Sequence, residues 1–304
     1  MSISVHNVSK YYGTQKALDN VSFEVKAGEI IGFLGPNGAG KSTMMKIICG
    51  YLPQNEGSVK VCGMDVLEEE LAVKQRLGYL PENNPLYLDM YVKEYLLFTA
   101  GIYKLANKES RVQQVIDKVG ITKEQNKRIG ELSKGYRQRV GLAQSFIHEP
   151  DVLILDEPTT GLDPNQIVEI RNLIREIGKN KTVLLSTHIM QEVEAICDRA
   201  IIINEGKIVE DSSVADLKKL NEGERKIEVL FKQPVEEKAL SKLFGSGTVL
   251  KLSSSHYEIT ANDMLTCKNQ IMNFAMDNGY EILQMNERGS SLEEIFRKLT
   301  IGSV

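Results

Sequence analysis

Two kinds of apolar pattern occur at the start of the chain. Apolar and polar side chains alternate in Ile3–Val5 and in Val21–Val25, which is typical of half-buried antiparallel strands. Glu29–Leu34 is an almost continuous apolar run, the pattern of a strand that is buried on both faces. The chain is therefore predicted to begin with an antiparallel β portion and to continue into a buried strand.

Continuous apolar runs recur in the second half of the chain. Val152–Leu155 and Thr182–Ser186 have the length of buried strands, and the segment Asn165–Gly178 between them has a helical pattern. Strand, helix and strand in this order predict a parallel sheet. A hairpin is predicted next, with strands at Ala200–Asn204 and Lys207–Val209.

Much of the segment between the first two buried strands is predicted to be helical. A helix is expected from about Lys41 to Cys49, and residues of roughly 85 to 128 are expected to be helical. A further helix follows Gly135 and ends before Pro150. Residues of about 85–145 are therefore predicted to form a helical insertion in the sheet protein.

The pattern changes after about Asp211, and a polar segment at Lys218–Arg225 is expected to separate a compact tail. We predict two domains, residues 1–217 and residues 218–304, the second a small α+β domain. Its strands are expected at Lys226–Phe231, Thr248–Lys251, His256–Thr260 and Tyr280–Met285. Its helices are expected at Asp263–Asn278 and after a capping box formed by Ser291 and Glu294.

A glycine-rich segment joins the first buried strand to the helix at Lys41, and it matches the G-x-x-x-x-G-K-[ST] pattern of a P-loop. Glycines allow backbone N–H groups to approach phosphate oxygens, and the helix N-terminus adds the positive end of its dipole. Lys41 is expected to reach the β- and γ-phosphates of ATP, and the Ser42 hydroxyl to bind Mg²⁺. The predicted nucleotide-binding residues here are Gly35, Pro36, Asn37, Gly38, Ala39, Gly40, Lys41, Ser42 and Thr43.

Two acidic residues follow the apolar run Val152–Leu155. In a P-loop protein a carboxylate at this position holds Mg²⁺, so Asp156 is a predicted metal ligand. Glu157 can turn toward the γ-phosphate at the strand end and polarise the attacking water, so it is a predicted catalytic residue. The predicted fold class is α/β: a P-loop core with an N-terminal antiparallel β subdomain and a helical insertion, plus the small α+β domain.

Seven segments in a fixed order resemble the ATP-binding subunits of ABC transporters, over residues 1 to about 215. Leu132-Ser133-Lys134-Gly135-Tyr136 is similar to the signature sequence of that family. The other segments are Tyr12 as the adenine-stacking aromatic, the P-loop, Glu82 in Leu80-Pro81-Glu82, Asp156-Glu157, Gly161-Leu162-Asp163 and Ser186-Thr187-His188. Tyr11 is an alternative to Tyr12, which is preferred because Gly13 follows it, as in the family.

The resemblance implies a shared nucleotide site. Two such domains, in a homodimer or with a paired ATP-binding subunit, would pack head to tail, with each ATP between one P-loop and the signature of the other. Ser133 and Gly135 begin a helix and would offer a second anion site for the γ-phosphate. His188 would contact the γ-phosphate and position the water, and Asp163 would belong to the same site.

Three positions depart from the family pattern. Glu82 stands where the family usually has glutamine; a carboxylate can still bind Mg²⁺, but it adds negative charge near the phosphates. Lys134 and Tyr136 replace the usual second glycine and final glutamine of the signature. Two roles are open for Lys134, a charge directed at the nucleotide or a solvated side chain.

The resemblance also implies a partner, an integral membrane permease encoded separately. Leu-Pro-Glu at the Glu82 position and a separate C-terminal domain are similar to a bacterial exporter branch that serves drug resistance and gliding motility. The hydrophobic residues near Glu82 have two open roles, contact with the permease or ordinary packing. They are Leu86, Tyr87, Leu88 and Tyr91.

Composition and charge narrow the partners further. The 304 residues carry a net charge of −4, which gives no general attraction to nucleic acid. The four cysteines show no C-x-x-C spacing, and the N-terminus lacks an apolar signal segment. We expect a cytoplasmic subunit held at the inner face of the cell membrane by its permease. The alternative is a soluble ABC ATPase acting on a non-membrane partner, which the single uninterrupted cassette and the negative charge oppose.

Overall fold

The alternating and continuous apolar segments become strands and helices in a computed structural model that describes residues 1–219, 225–244, 248–261, 263–288 and 292–301. The chain divides into two compact units, Met1–Val214 and Ala215–Val304. This division lies near the boundary predicted after residue 217. Most of the predicted linker, residues 220–224, and Ser291 of the predicted capping box lie outside the described residues.

The first unit contains ten strands among the described residues. They are β1 (Ile3–Tyr12), β2 (Gln15–Val25), β3 (Ile30–Leu34), β4 (Glu56–Val61), β5 (Met64–Asp65), β6 (Leu77–Leu80), β7 (Val152–Asp156), β8 (Thr182–Thr187), β9 (Arg199–Asn204) and β10 (Lys207–Ser213). The helices up to its end are α1 (Lys41–Ile48), α2 (Glu70–Arg76), α3 (Val92–Ile102), α4 (Lys108–Val119), α5 (Lys134–Phe146), α6 (Pro164–Gly178), α7 (Met190–Ile196) and α8 (Val214–Lys219), with a short 3₁₀ helix at Ile129–Glu131.

The predicted antiparallel β portion is confirmed as a four-stranded sheet in the order β2-β1-β4-β5. Ile3 lies opposite Val25 and Val5 opposite Phe23, so the alternation brings the apolar side chains to one buried face. The buried side chains of this sheet pack with α1 in a common hydrophobic core.

The continuous apolar runs form the centre of a second sheet, with the order β10-β9-β3-β8-β7-β6. Strands β9, β3, β8, β7 and β6 are parallel, and β10 pairs antiparallel with β9 at one edge. Every residue of β3, β7 and β8 is buried, as the runs predicted. Because parallel neighbours end at the same edge, the segments that follow β3, β8, β7 and β6 lie side by side there.

The helical insertion consists of α3, α4 and α5 between β6 and β7, but residues 85 to 128 are less helical than predicted. Only Val92–Ile102 and Lys108–Val119 are α-helical within that range. The first helix ends where Lys104 adopts a left-handed conformation with φ 54°, and the second ends at Gly120 with φ 71°. The last helix begins at Lys134 rather than after Gly135.

The second unit is an α+β structure, as predicted. Its remaining elements are β11 (Arg225–Phe231), α9 (Glu237–Phe244), β12 (Val249–Lys251), β13 (His256–Ala261), α10 (Met264–Asn278), β14 (Ile282–Arg288) and α11 (Leu292–Ile301). The strands form an antiparallel sheet in the order β12-β13-β11-β14. Its own core includes Val229, Tyr257 and Ile271. Helix α9 was not predicted. Within the described parts of the chain, no helix combines the length and apolar character that crossing a membrane requires.

Candidate nucleotide-binding site

The P-loop connects β3 to α1 in a conformation that depends on its glycines. Gly38 and Gly40 have positive φ values of 82° and 110°. A Cβ on Gly40 would lie 2.6 Å from the carbonyl oxygen of Ala17, and one on Gly35 would lie 2.4 Å from that of Ile203. The loop is therefore held against neighbouring backbone on two sides, with no room for a side chain at either position.

Lys41, the first residue of α1, has its ammonium folded back over this loop. Its Nζ donates hydrogen bonds to the carbonyls of Gly35 at 2.8 Å and Pro36 at 3.3 Å. The same nitrogen lies 3.4 Å from Oε1 of Glu157. Only 5% of Lys41 is exposed, so these three oxygens stabilise a nearly desolvated positive charge where a phosphate would be bound.

Ser42 and Asp156 meet although they are 114 residues apart in sequence. The Ser42 hydroxyl donates to Oδ1 of Asp156 at 3.2 Å, and the Ser186 hydroxyl donates to the same oxygen. Asp156 is buried at the end of β7. A hydroxyl and a carboxylate that converge in this way form an oxygen-only donor set, which fits the preference of Mg²⁺.

Glu157 faces the same side as Asp156 although it directly follows it. Its φ of 50° is left-handed, which is rare for a residue with a side chain and turns the carboxylate out of the strand alternation. The backbone N–H of Glu157 donates to the Ser186 carbonyl at 3.1 Å and is also 3.2 Å from the Ser186 hydroxyl. Strand β8 therefore holds the strained turn in place.

The Glu157 carboxylate joins three side chains. Oε1 faces Lys41, while Oε2 lies 2.9 Å from Nδ1 of His188 and accepts a hydrogen bond from the Thr160 hydroxyl at 3.2 Å. His188 follows β8 and is partly exposed, whereas Glu157 is buried. A carboxylate, an imidazole and a lysine thus meet at the carboxyl edge of the sheet.

A cavity of about 670 Å³ opens beside these groups, and its lining includes Tyr12, Lys41, Ser42, Glu82, Glu157 and His188. Tyr12 is 49% exposed, as a platform for an aromatic ring requires. Tyr11 is directed elsewhere, with its hydroxyl 3.4 Å from Glu56. The other lining residues of the P-loop are Asn37, Gly38, Gly40 and Thr43.

Three residues of this lining were not predicted from the sequence, Gln15, Ala17 and Thr160. Gln15 and Ala17 lie at the start of β2, within a few residues of Tyr12 and Gly13. Their position next to the predicted aromatic platform was the available signal. Thr160 had no signal of its own, because its contact with Glu157 depends on the turn after β7.

The signature residues and Asp163 are in a different place, since none of the described residues that line the cavity is Ser133, Gly135 or Asp163. Ser133 caps α5, its hydroxyl accepting from the Tyr136 N–H at 3.5 Å. Asp163 caps α6 in the same way through Gln166, at 3.0 Å. A Cβ on Gly135 would lie 2.7 Å from the Gln166 side chain, so the two helix starts are adjacent.

Lys134 lies on the same surface. A Cβ on Gly161 would be within 2.0 Å of its Nζ, so the lysine side chain fills the space above that glycine. Lys134 is exposed. Its amine therefore covers the loop that leads from Glu157 to α6, at the edge of the surface that carries Ser133.

A second concave surface lies beside the helical insertion. It is a groove of about 280 Å³ with an aromatic lining that includes Tyr51, Tyr79, Tyr87, Phe98 and Tyr103. We call it the aromatic groove. Tyr87 is exposed at its rim, as are Leu88 and Tyr91 nearby, whereas Leu86 is buried and serves packing.

His148 lines the aromatic groove, and one of its two ring nitrogens has no hydrogen-bond partner among the described residues. Its ring stacks on Tyr103 at 3.8 Å, and its Nε2 is 3.1 Å from the Leu77 carbonyl. Burial lowers the pKa of His148 to about 4, so the imidazole is neutral near pH 7. Nδ1 is buried without a hydrogen-bond partner among the described residues, and so is the Tyr79 hydroxyl.

Comparisons with known proteins identify relatives that match nearly the full length of the chain. The profile of the ABC transporter family matches residues 18–160. The bacitracin transport ATP-binding protein BcrA of Bacillus licheniformis is 33% identical, covering 99% of this chain and 97% of that protein. The Nod factor export ATP-binding protein I of Burkholderia orbicola (strain AU 1054) is 32% identical, covering 98% and 96%. A solved ATP-binding subunit of an ABC transporter is 30% identical with a TM-score of 0.66, covering 72% of this chain and 93% of that one.

Proposed function

Because the chain belongs to the ABC transporter family, we propose that it is the motor subunit that binds and hydrolyses ATP to drive a separate membrane permease. The prediction of the family from the P-loop and the signature is confirmed by its relatives. The observation that carries the function is the convergence of Lys41 and His188 on the Glu157 carboxylate, next to the paired Ser42 and Asp156.

The proposed roles of these residues are supported by their contacts. Lys41 donates to carbonyl oxygens of the P-loop, and it exchanges some of these bonds for phosphate oxygens when ATP binds. Glu157 acts as the base that orients and polarises water, and His188 holds that carboxylate and contacts the γ-phosphate. Tyr12 stacks on adenine. Ser42 and Asp156, with Glu82 at the cavity wall, would hold Mg²⁺, and the metal would neutralise phosphate charge.

The working unit of this proposal is a head-to-tail dimer. Ser133 and Gly135 begin α5, a helix of 13 residues, yet they do not belong to the described lining of the cavity that holds Lys41. A second copy, or a paired ATP-binding subunit, brings this helix start to the outer side of the γ-phosphate. Charge-assisted hydrogen bonds there are worth about 1.5–3 kcal/mol each. Hydrolysis and release of the cleaved phosphate remove the bridging charge, so the dimer opens.

Light scattering with ATP and Mg²⁺ tests the shared site. The Glu157→Gln protein should bind ATP without cleaving it and accumulate as a dimer. Adding Ser133→Arg should return it to monomer with ATP still bound at the P-loop, while Ser110→Arg, at an exposed serine of α4, should leave the dimer intact. A Glu157→Gln protein that is saturated with ATP yet monomeric at every accessible concentration, with its permease present, refutes the shared site.

The permease contact of this proposal is the aromatic groove. Tyr87 at its rim, and Leu88 and Tyr91 nearby, present apolar surface to an incoming helix, while His148 Nδ1 and the Tyr79 hydroxyl offer buried hydrogen-bonding atoms. The groove adjoins the segment that carries Glu82, which follows β6. A cytoplasmic helix of the permease in this groove would lie next to the segment that carries Glu82. Opening and closing of the dimer would then be transmitted to the permease through that segment.

The relatives favour export as the direction of transport. One is named for bacitracin transport and another for Nod factor export, and both match the chain over nearly its full length. We infer a cytoplasmic subunit bound to the inner face of the membrane through its permease, with no nucleic-acid partner. Co-purification of an integral membrane protein with the full chain tests this. Recovery of a soluble or ribosomal partner instead supports the alternative of a soluble ABC ATPase.

A further inference from the structure

A buried carboxylate lies behind the catalytic groups. Glu192, on α7, is fully buried. It accepts hydrogen bonds from the hydroxyl of Thr159 and, at 2.6 Å, from that of Thr187. Nη2 of Arg171 lies 3.8 Å from it. A buried carboxylate is costly unless it is bonded and paired, so these contacts account for its presence in the core.

The two threonines occupy informative positions. Thr159 is the second residue after Glu157, and Thr187 directly precedes His188. The Thr187 hydroxyl also accepts a hydrogen bond from the Ile189 N–H at 3.0 Å. The residues on both sides of His188 are therefore attached to the hydroxyl that Glu192 binds. One carboxylate therefore joins the segment that carries the base to the segment that carries the imidazole.

The turn at Glu157 needs such support. Its left-handed φ of 50° is strained and persists only when the surroundings determine it. Ser186 holds the start of the turn through the Glu157 N–H, and Glu192 holds its far side through Thr159. Oε2 of Glu157 lies 2.9 Å from Nδ1 of His188. Without the attachment through Thr159, this distance loses one of its constraints.

We propose that Glu192 is a positioning residue for ATP hydrolysis, acting through Thr159 and Thr187 to hold Glu157 and His188 together. The inference rests on the roles proposed above for that pair. Glu192 is itself buried and does not line the nucleotide cavity, so it influences the geometry of hydrolysis and not the binding of ATP. Misplacement of a catalytic group by 1 Å can cost about 100-fold in rate.

Steady-state ATPase measurements on the full chain are the first test. Glu192→Gln should lower kcat by about tenfold or more, with the Kd for ATP within about twofold of wild type. Glu194→Gln is the matched control, because Glu194 lies on the same helix with its side chain exposed. Equal kcat values for the wild type, Glu192→Gln and Glu194→Gln would overturn the proposal.

Threonine variants separate positioning from a loss of folding. Thr159→Val and Thr187→Val remove a hydroxyl at nearly constant volume, whereas Thr159→Ser and Thr187→Ser retain it. Both valine variants should reproduce the loss in kcat, and both serine variants should restore it. Valine variants that fold, bind ATP and turn over like the wild type contradict the role of the carboxylate even where Glu192→Gln is unstable.

A double-variant cycle asks whether Glu192 acts through His188. In a His188→Ala background, Glu192→Gln should cause a smaller loss of rate than it does in the wild type, because only its constraint on Glu157 remains. A full tenfold loss in that background means that Glu192 acts independently of His188, and it refutes positioning of the pair.

NMR of the imidazole side chains gives a readout that needs no turnover. The chain has four histidines, so their signals can be assigned by substitution. The resonances of His188 should move in Glu192→Gln toward their positions in Glu157→Ala, while those of His148 and His256 stay unchanged. Unmoved His188 resonances refute the inference. If they move while Glu157→Gln hydrolyses ATP normally, the proposed catalytic roles fail and the positioning contact stands.

Discussion

Replacement of Lys41 by alanine removes the most enclosed positive charge of the site. Its Nζ lies 2.8 Å from the Gly35 carbonyl, 3.3 Å from the Pro36 carbonyl and 3.4 Å from Glu157. Because the ammonium is already bonded before ATP arrives, binding gains only the difference between phosphate and these partners. We take that difference as one charge-assisted hydrogen bond, about 1.5–3 kcal/mol. At 1.4 kcal/mol per factor of ten, Lys41→Ala should weaken ATP binding by about 10- to 140-fold.

The same substitution should also destabilise the free protein. It leaves the buried Glu157 carboxylate without its lysine, and removing one partner of a buried pair costs about 3–5 kcal/mol. His188 and Thr160 still contact the carboxylate, which favours the lower figure. A loss of 3 kcal/mol lowers the Tm by about 6–12 °C for a unit of roughly 200 residues.

A second substitution separates the two effects. Lys41→Ala combined with Glu157→Gln removes the unpaired charge, so the Tm should recover while the ATP affinity remains low. Calorimetric titration with ATP and Mg²⁺, with thermal melts of each protein, measures both quantities. Lys46→Ala, at an exposed lysine of the same helix, is the control and should change neither. Lys41→Ala with an ATP affinity within twofold of wild type refutes the phosphate assignment.

Two further predictions concern the metal and the second unit. If the carboxylate of Glu82 binds Mg²⁺, Glu82→Ala should require more Mg²⁺ for half-maximal ATPase activity than Glu82→Gln, whose amide oxygen can still coordinate; coincident Mg²⁺ titration curves for both variants and the wild type exclude this role. A chain that ends near Leu217 should fold and bind ATP, because the first unit has its own hydrophobic core; aggregation of such chains at several end points, seen by circular dichroism and light scattering, contradicts independent folding.

Local sequence patterns were sufficient to predict the central strands and the segments that contain the candidate site residues. The uninterrupted apolar runs of β3, β7 and β8 predicted burial on both faces, and all of their residues are buried. The hairpin of β9 and β10 was predicted from the two-residue turn Glu205-Gly206. Both of these residues have positive φ in the structure, as such a turn requires. Short or irregular elements such as β5, α2 and α9 had no comparable period, and they were missed.

Sequence and tertiary structure determined different features of this protein, because some features depend on local interactions and others on contacts between distant segments. Sequence alone determined which residue types lie at strand ends and helix starts, because those depend on neighbours within a few positions. The distances between the side chains at these strand ends and helix starts depend on the order of the strands in the sheet. Only the arrangement β3-β8-β7-β6 brings Ser42 to Asp156 and Glu157 to His188, and places Glu192 behind them. The position of Ser133 outside the cavity lining is likewise a tertiary result, because the start of α5 lies against Gln166 of α6, a residue distant from it in the chain.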